Sequence, residues 1–354
     1  MNPILGPFSL LRFDDALGRA ISMAPTFSFI LPIFNEEQTL PELYRRMGEL
    51  LSQLKEPAEV ILIDDGSRDR SYALCVEIAG QDPRFKVIHF SRNFGHQIAI
   101  TAGMDFALGK AVVIMDADLQ DPPEVVLEMV SRWREGYEVV YAVRDERQGE
   151  SFFKQITAKW FYRLLGRLTD ISIPNDTGDF RLVDRKALDA FKALREGNRY
   201  VRGMFSWVGF KQIGVHYVRH ERFAGETKYP FRKMFRFATD AVLSFSNIPL
   251  RLALNIGFVV SGLSFVVGIG TILVKSLGFF TVPGWTSTVM IVAFMGGFQL
   301  MVLGILGEYI SRIYDEVKQR PLYVVRSTHG FEASAMKHAA PERVFLHMGA
   351  EDQI

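Results

Sequence analysis

The sequence predicts a doubly wound, Rossmann-like α/β domain followed by interface helices and a two-helix transmembrane hairpin. Three observations predict it. Short β-branched runs alternate with helical segments from Phe27 to about Val143, the pattern of a mostly parallel sheet covered on both faces. Carboxylate-rich motifs stand at the ends of the apolar runs, where ligands of open α/β sheets bind. From Leu252 to Gly307 the only charged residue is Lys275, although the 354-residue chain carries 41 Lys and Arg and 40 Asp and Glu.

Residues 1–26 come first. Their apolar stretch, Ile4 to Leu11, is broken by Gly6 and Pro7 and followed by Arg12, Asp14, Asp15 and Arg19. A secretory signal needs a basic start and an unbroken apolar middle, so the segment reads as a surface extension. In the domain that follows, residues 27–228, Phe27–Ile33, Glu59–Ile63, Lys86–Phe90, Ala111–Met115 and Glu138–Val143 read as strands. Thr39–Leu54, Arg70–Ala79, Gly95–Leu108 and Pro123–Arg134 read as the helices between them.

Residues 229–251 mix Phe231, Phe235, Phe237 and Phe245 with basic side chains, which suits a membrane interface. Gly278, Pro283 and Gly284 divide the apolar block into spans at about 252–274 and 286–307, each long enough to cross ~30 Å of hydrocarbon at ~1.5 Å per residue. Buried core helices are the weaker reading, because these segments lack a polar stripe. Arg232, Lys233, Arg236 and Arg251 precede the first span, and Arg312, Lys318 and Arg320 follow the second. By the positive-inside rule the large domain and the tail, residues 308–354, both face the cytoplasm. The part of the tail after Ser327 receives no function.

Composition excludes several classes. The net charge of +1 argues against a nucleic-acid partner, and the single cysteine, Cys75, permits no intrachain disulfide. Neither G-x-G-x-x-G nor G-x-x-x-x-G-K-[ST] follows the first strand, which disfavours a dinucleotide dehydrogenase or a P-loop NTPase.

What stands at the strand ends is polar and acidic: Pro32-Ile33-Phe34-Asn35-Glu36-Glu37, Asp64-Asp65-Gly66-Ser67 and Asp116-Ala117-Asp118-Leu119-Gln120. Asp116 and Asp118 lie two apart in an extended segment and can project to one side. Their hard oxygens suit Mg²⁺ or Mn²⁺ held by few protein ligands, leaving positions for phosphate. His216 and His220 are spaced like zinc ligands, but the residues between them read as strand. His96 reads equally as a donor-phosphate contact and as a helix-start histidine bonded to backbone.

The ordered set Leu31–Glu37, Ile63–Ser67, Asn93–Gln97, Met115–Pro123, Thr177–Arg181 and Gly225–Tyr229 resembles the inverting, A-type family-two glycosyltransferases. Within them it resembles the bacterial polyprenyl-phosphate glycosyltransferases, relatives of dolichyl-phosphate mannose synthase with two C-terminal membrane helices. The resemblance implies that Pro32, Phe34, Glu36 and Asp65 hold the base and ribose of a nucleotide-sugar donor. It implies that Asp116, Asp118 and Gln120 hold the metal and the donor diphosphate. Asp179 would stand near the reacting sugar and acceptor, with Arg144 and Lys154 receiving the acceptor phosphate. The implied acceptor is polyprenyl (undecaprenyl) phosphate in the bilayer of a bacterial cytoplasmic membrane, and UDP-glucose is the preferred donor among several sugars. Ser151–Leu168 reads either as an amphipathic interfacial helix or as an ordinary surface helix. Glycine-rich spans leave room for a homo-oligomer. A processive polysaccharide synthase and an inactive scaffold are the competing classes. The first lacks its Q-x-x-R-W motif here, of which Arg202 to Trp207 is a loose echo, and the second has no need of the retained carboxylates.

Overall fold

The structure, a computed structural model, describes residues 25–144, 177–218, 248–277, 284–331 and 345–346. Lys154, the extension at residues 1–24, the Ser151–Leu168 and Gly225–Tyr229 segments and nearly all of the interface segment lie outside them. The chain divides into two compact units, one built on a sheet and one holding the two long apolar helices.

The sheet unit starts with β1 (Phe27–Ile33), whose seven residues are all buried. That is what a strand covered on both faces requires, and it explains the unbroken apolar run. Helix α1 (Leu40–Leu54) begins with Pro in its first turn and ends at Lys55 in the left-handed region. Its buried stripe, Leu40, Leu43, Met47, Leu50, Leu51 and Leu54, follows helical spacing and packs into the core. Then come β2 (Ala58–Asp64), α2 (Ser71–Gln81), β3 (Phe85–Phe90), α3 (His96–Phe106), β4 (Ala111–Ile114), α4 (Val125–Arg134) and β5 (Val139–Arg144). Each agrees with its sequence-predicted segment to within two residues.

Four parallel strands, in the order β4-β1-β2-β3, form the centre of the sheet. Beside β4 runs β6 (Thr177–Asp184), antiparallel to both β4 and β5. Seven of its eight residues are buried, yet its Gly, Asp and Arg give no strand signal. Helices α5 (Arg185–Lys192) and α6 (Val201–Val208) follow, then β7 (Gln212–Tyr217), which pairs in parallel with β5. Since β5, β6 and β7 reach the same end of the sheet as β4, residues 144, 178, 179 and 217 are brought together there.

The other edge holds a return strand. Residues 308–354 read in the sequence as a tail, but β8 (Val324–His329) pairs antiparallel with β3 and is followed by the short β9 (Phe345–Leu346). Tyr323, fully buried, stacks on Phe90 at 5.2 Å and donates its hydroxyl to Asp105 at 2.9 Å. Asp105 also receives both arms of the Arg195 guanidinium, at 2.8 and 2.9 Å.

In the second unit, α7 (Ile248–Ser276) and α8 (Trp285–Val317) include stretches long and apolar enough to cross a membrane, Leu250–Val267 and Met290–Val317. Almost no residue of either stretch is buried, 6% and 0%, so the core-helix reading fails for them. Beyond Gly307 helix α8 carries Glu308, Arg312, Asp315 and Glu316, which marks where its apolar part ends.

Candidate active site

The site lies beyond the carboxyl ends of β1, β2 and β4, whose adjacency is set by the register pairs Pro32↔Ile63 and Ile30↔Ile114. Pro32 is buried next to the end of β1, and Phe34 projects with 43% exposure. Asn35 adopts φ 56° and turns the chain out of the strand; its amide oxygen accepts from Arg68 N–H at 2.8 Å. Glu36 receives Thr39 Oγ1 at 2.9 Å and its own N–H donates to Ser71 Oγ at 2.8 Å, so this loop is fastened to the starts of α1 and α2.

Asp65, at the end of β2, is 3% exposed. Its carboxylate accepts from Phe94 N–H at 2.6 Å, Gly95 N–H at 2.9 Å and Asn93 Nδ2 at 2.9 Å. Burial raises its pKa in spite of those donors. Asp65 therefore organises the loop from which α3 starts, and so sets where His96 and Gln97 stand.

After β4 the backbone bends through Leu119 at φ 57° with its side chain 3% exposed. A bulky side chain in the left-handed region costs roughly 1–2 kcal/mol, and here the burial of Leu119 offsets it. Asp118 and Gln120 flank that residue, and Gln120 N–H donates to Asp118 Oδ1 at 3.1 Å. Asp116 Oδ1 is buried with no hydrogen bond among the described residues, and His96 Nε2 lies 3.3 Å from it. Burial lifts the Asp116 carboxyl to about 6; His96 opposes this, and Asp179, Asp121 and Asp118 add to it. Asp116 Oδ1, near His96 but without a hydrogen bond, and Asp118 two residues on offer the hard oxygens that a divalent cation takes, although no three His, Cys, Asp or Glu side chains converge as a metal cluster among the described residues.

Asp179 is the next carboxylate. It is 4% exposed on β6 and is enclosed by three side chains. Arg202 donates from Nε to Oδ1 at 2.8 Å and from Nη2 to Oδ2 at 3.3 Å. Gln97 Nε2 donates to Oδ2 at 3.1 Å, while its Oε1 accepts the N–H of Val201 at 3.0 Å and so ties α3 to the start of α6. His96 Nε2 lies 3.4 Å from Oδ2. Burial disfavours the charge on Asp179, but the Arg202 guanidinium and the contact from His96 outweigh it and hold the carboxyl well below the usual carboxylate range. Burial acts against the charge on His96 too, but contact with Asp179 and the charge of Asp116 raise its pKa to about 9.

Arg144 ends β5 with its side chain 29% exposed, its Nε donating to Tyr217 Oη at 3.2 Å and its Nη2 3.9 Å from Asp121. The structure thus gathers Asp116, Asp118, Gln120, Asp179 and Arg144 at one end of the sheet, beside the β1 and β2 loops that carry Pro32, Phe34, Glu36 and Asp65.

Residues 28–191 match the family described as Glycosyl transferase family 2. Over 306 residues the chain is 54% identical to the uncharacterized glycosyltransferase YkcC of Bacillus subtilis (strain 168), covering 86% of this chain and 95% of that one. The chain belongs to glycosyl transferase family 2. It is a glycosyltransferase, and its sheet with two long apolar helices is the fold that the sequence predicts. It is also 38% identical over 299 residues to the prophage bactoprenol glucosyl transferase homolog of Escherichia coli (strain K12), covering 84% of this chain and 98% of that one. Among solved structures, mannosyl-3-phosphoglycerate synthase from Rubrobacter xylanophilus superposes with a TM-score of 0.44 at 17% identity, over 71% of this chain and 79% of that one.

Four members of this glycosyltransferase's site carry no role that the sequence assigns. Gln97 and Asp121 lie inside the Asn93–Gln97 and Met115–Pro123 motifs, and Arg202 opens the Arg202–Trp207 echo. Tyr217 gives only a strand signal, since nothing in the sequence says that β7 ends beside β5.

Proposed function

We propose that this glycosyltransferase moves a sugar, with UDP-glucose the preferred donor, from a nucleotide diphosphate to polyprenyl phosphate at the cytoplasmic face of a bacterial membrane, with inversion. One observation carries the reading: the acidic loop Asp116–Asp121 meets a partly exposed cation, Arg144, at one sheet end, which supports a diphosphate-binding element and a phosphate-binding element side by side. Relatives named for bactoprenol glucosyl transfer support the acceptor.

Asp116, Asp118 and Gln120 would hold Mg²⁺ or Mn²⁺, which when bound neutralises the charge that develops on the leaving diphosphate. Pro32, Phe34, Glu36 and Asp65 border the place for base and ribose. The acceptor phosphate oxygen attacks the anomeric carbon. The bond from that carbon to the diphosphate oxygen breaks, and its electron pair leaves with the nucleoside diphosphate. A lipid phosphate has a second pKa near 6 and is largely dianionic at neutral pH, so no proton has to be removed. The depressed pKa of Asp179 agrees with that: a carboxylate tied by Arg202, Gln97 and His96 orients its neighbours rather than collecting a proton. Arg144 offers a fork to the incoming phosphate, and Lys154 is proposed as its second cation.

The two apolar helices are proposed to cross the membrane as a hairpin. The chain leaves the sheet unit before α7 and re-enters it as β8 on the edge of β3, which supports an even number of crossings and a cytoplasmic C-terminus. The test is a donor screen: full-length protein with undecaprenyl phosphate and each common nucleotide sugar in turn. Mass spectrometry should detect the lipid phosphate plus one hexose, most abundantly from UDP-glucose. A sugar appearing only on soluble or polymeric products would overturn the reading.

A further inference from the structure

The cation proposed to meet the acceptor is not a free surface arginine. Arg144 and Tyr217 are register partners at the ends of two parallel strands. Asp121 approaches them from the loop after β4, three residues beyond Asp118. Tyr217 is 6% exposed and Asp121 fully buried, whereas the Arg144 side chain keeps 29% of its surface in solvent. The guanidinium is thus the outward member of a group whose other two members are inside.

The hydrogen bonds have a direction. A phenol has one hydrogen, and Tyr217 Oη donates it to Asp121 Oδ1. Its lone pairs are then the acceptor for Arg144 Nε, at 3.2 Å. Asp121 acts on the arginine at longer range, with Oδ2 3.9 Å from Nη2. With Nε held by the tyrosine and Nη2 3.9 Å from Asp121, neither terminal nitrogen of the guanidinium makes a hydrogen bond among the described residues. Beneath it the backbone of β6 is bare: a Cβ on Gly178 would stand 2.7 Å from Nη2 and 3.4 Å from Cζ. The next residue along β6 is Asp179.

We propose that Asp121, Tyr217 and Gly178 form a bracket that fixes the plane of the Arg144 fork, and that Tyr217 is a positioning residue for the acceptor phosphate. This rests on the reading of Arg144 as the acceptor-phosphate cation. The bracket joins the two halves of the crevice, because its buried carboxylate belongs to the same loop as the proposed metal ligands. It also explains why a glycine precedes Asp179: any side chain at position 178 displaces the fork. A lysine at 144 keeps the charge but has no Nε–H for the tyrosine and no planar pair of donors.

The test is steady-state kinetics on the full chain with undecaprenyl phosphate and the donor varied separately. Tyr217→Phe keeps the ring and its edge contact with Phe180 and removes only the relay oxygen. It should raise the acceptor KM roughly 10-fold, as expected for losing a hydrogen bond to a charged group, and leave the donor KM unchanged. Gly178→Ala, which keeps the Tyr217–Asp121 bond, should give the same pattern. In an Arg144→Lys background Tyr217→Phe should add nothing further. An acceptor KM unchanged in Arg144→Gln, which removes the cation, overturns the acceptor-phosphate reading itself. A raised KM there, with Tyr217→Phe and Gly178→Ala both at wild-type values, overturns the bracket alone. So does a Tyr217→Phe effect that persists at full size in the lysine background.

Discussion

Replacing Arg202 by Gln removes the guanidinium from the buried Asp179 carboxylate while leaving Gln97 and His96 beside it. The Arg202–Asp179 ion pair is 2.8 Å long and joins an Asp179 side chain 5% exposed to an Arg202 side chain 26% exposed. Removing one partner of a fully buried ion pair costs about 3–5 kcal/mol. Partial solvent screening at Arg202 and the two remaining neighbours reduce the expected loss to about 2–3 kcal/mol. For a unit of this size that lowers the thermal midpoint by roughly 5–10 °C. The sign with pH follows from the depressed pKa of Asp179. Its stabilisation is fully present above the unfolded carboxylate value, about 3.9, and is lost as pH falls through the lower folded value. The difference between wild type and Arg202→Gln should therefore be constant from about pH 6 to pH 8 and shrink only below about pH 4. At neutral pH kcat should fall roughly 10- to 100-fold, because Asp179 no longer holds one position. Thermal unfolding of detergent-solubilised protein and initial rates at saturating substrates measure both. A midpoint within about 1 °C of wild type, together with kcat within about twofold, would refute the role given to the pair.

Gly109→Ala should destabilise the sheet unit by roughly 1–3 kcal/mol, read as a lowered unfolding midpoint, since its Cβ would meet Ser28 N at 2.6 Å and the Phe27 carbonyl carbon at 2.7 Å, backbone atoms that cannot give way. Cys75 is fully buried, and burial pushes its thiol pKa up; a thiol reagent should label it only after denaturation, and rapid labelling of the native protein would contradict its place in the core. A reporter fused after Ile354 should signal cytoplasm, and an external signal would overturn the two-crossing hairpin.

The central strands were legible because burial on both faces leaves continuous apolar runs, as in Phe27–Ile33, and because amphipathic spacing marks α1 plainly. The acidic motifs were legible for a related reason: charge at the end of an apolar run has few structural uses. Strand β6 was not legible. Thr177-Gly178-Asp179-Phe180-Arg181 has poor strand propensity, and it is strand only because β4 and β5 pair with it on both sides. The return strand β8 was hidden similarly, since pairing with β3 across more than 200 residues leaves no local trace. The chemistry of the site divides along the same line. Asp116 and Asp118 announce themselves by type and place and Asp179 enters only through the family resemblance, whereas Gln97, Arg202 and Tyr217 matter only through neighbours that the sheet order brings to them.

The most direct measurement is sugar transfer to lipid by the purified full-length protein. With undecaprenyl phosphate, radiolabelled UDP-glucose and Mn²⁺ or Mg²⁺, label should enter the chloroform-soluble phase. Chelation of the metal, or Asp118→Asn, should abolish that product while the variant unfolds at the wild-type temperature. No lipid product from any common nucleotide sugar, or full activity in Asp118→Asn, would contradict the account.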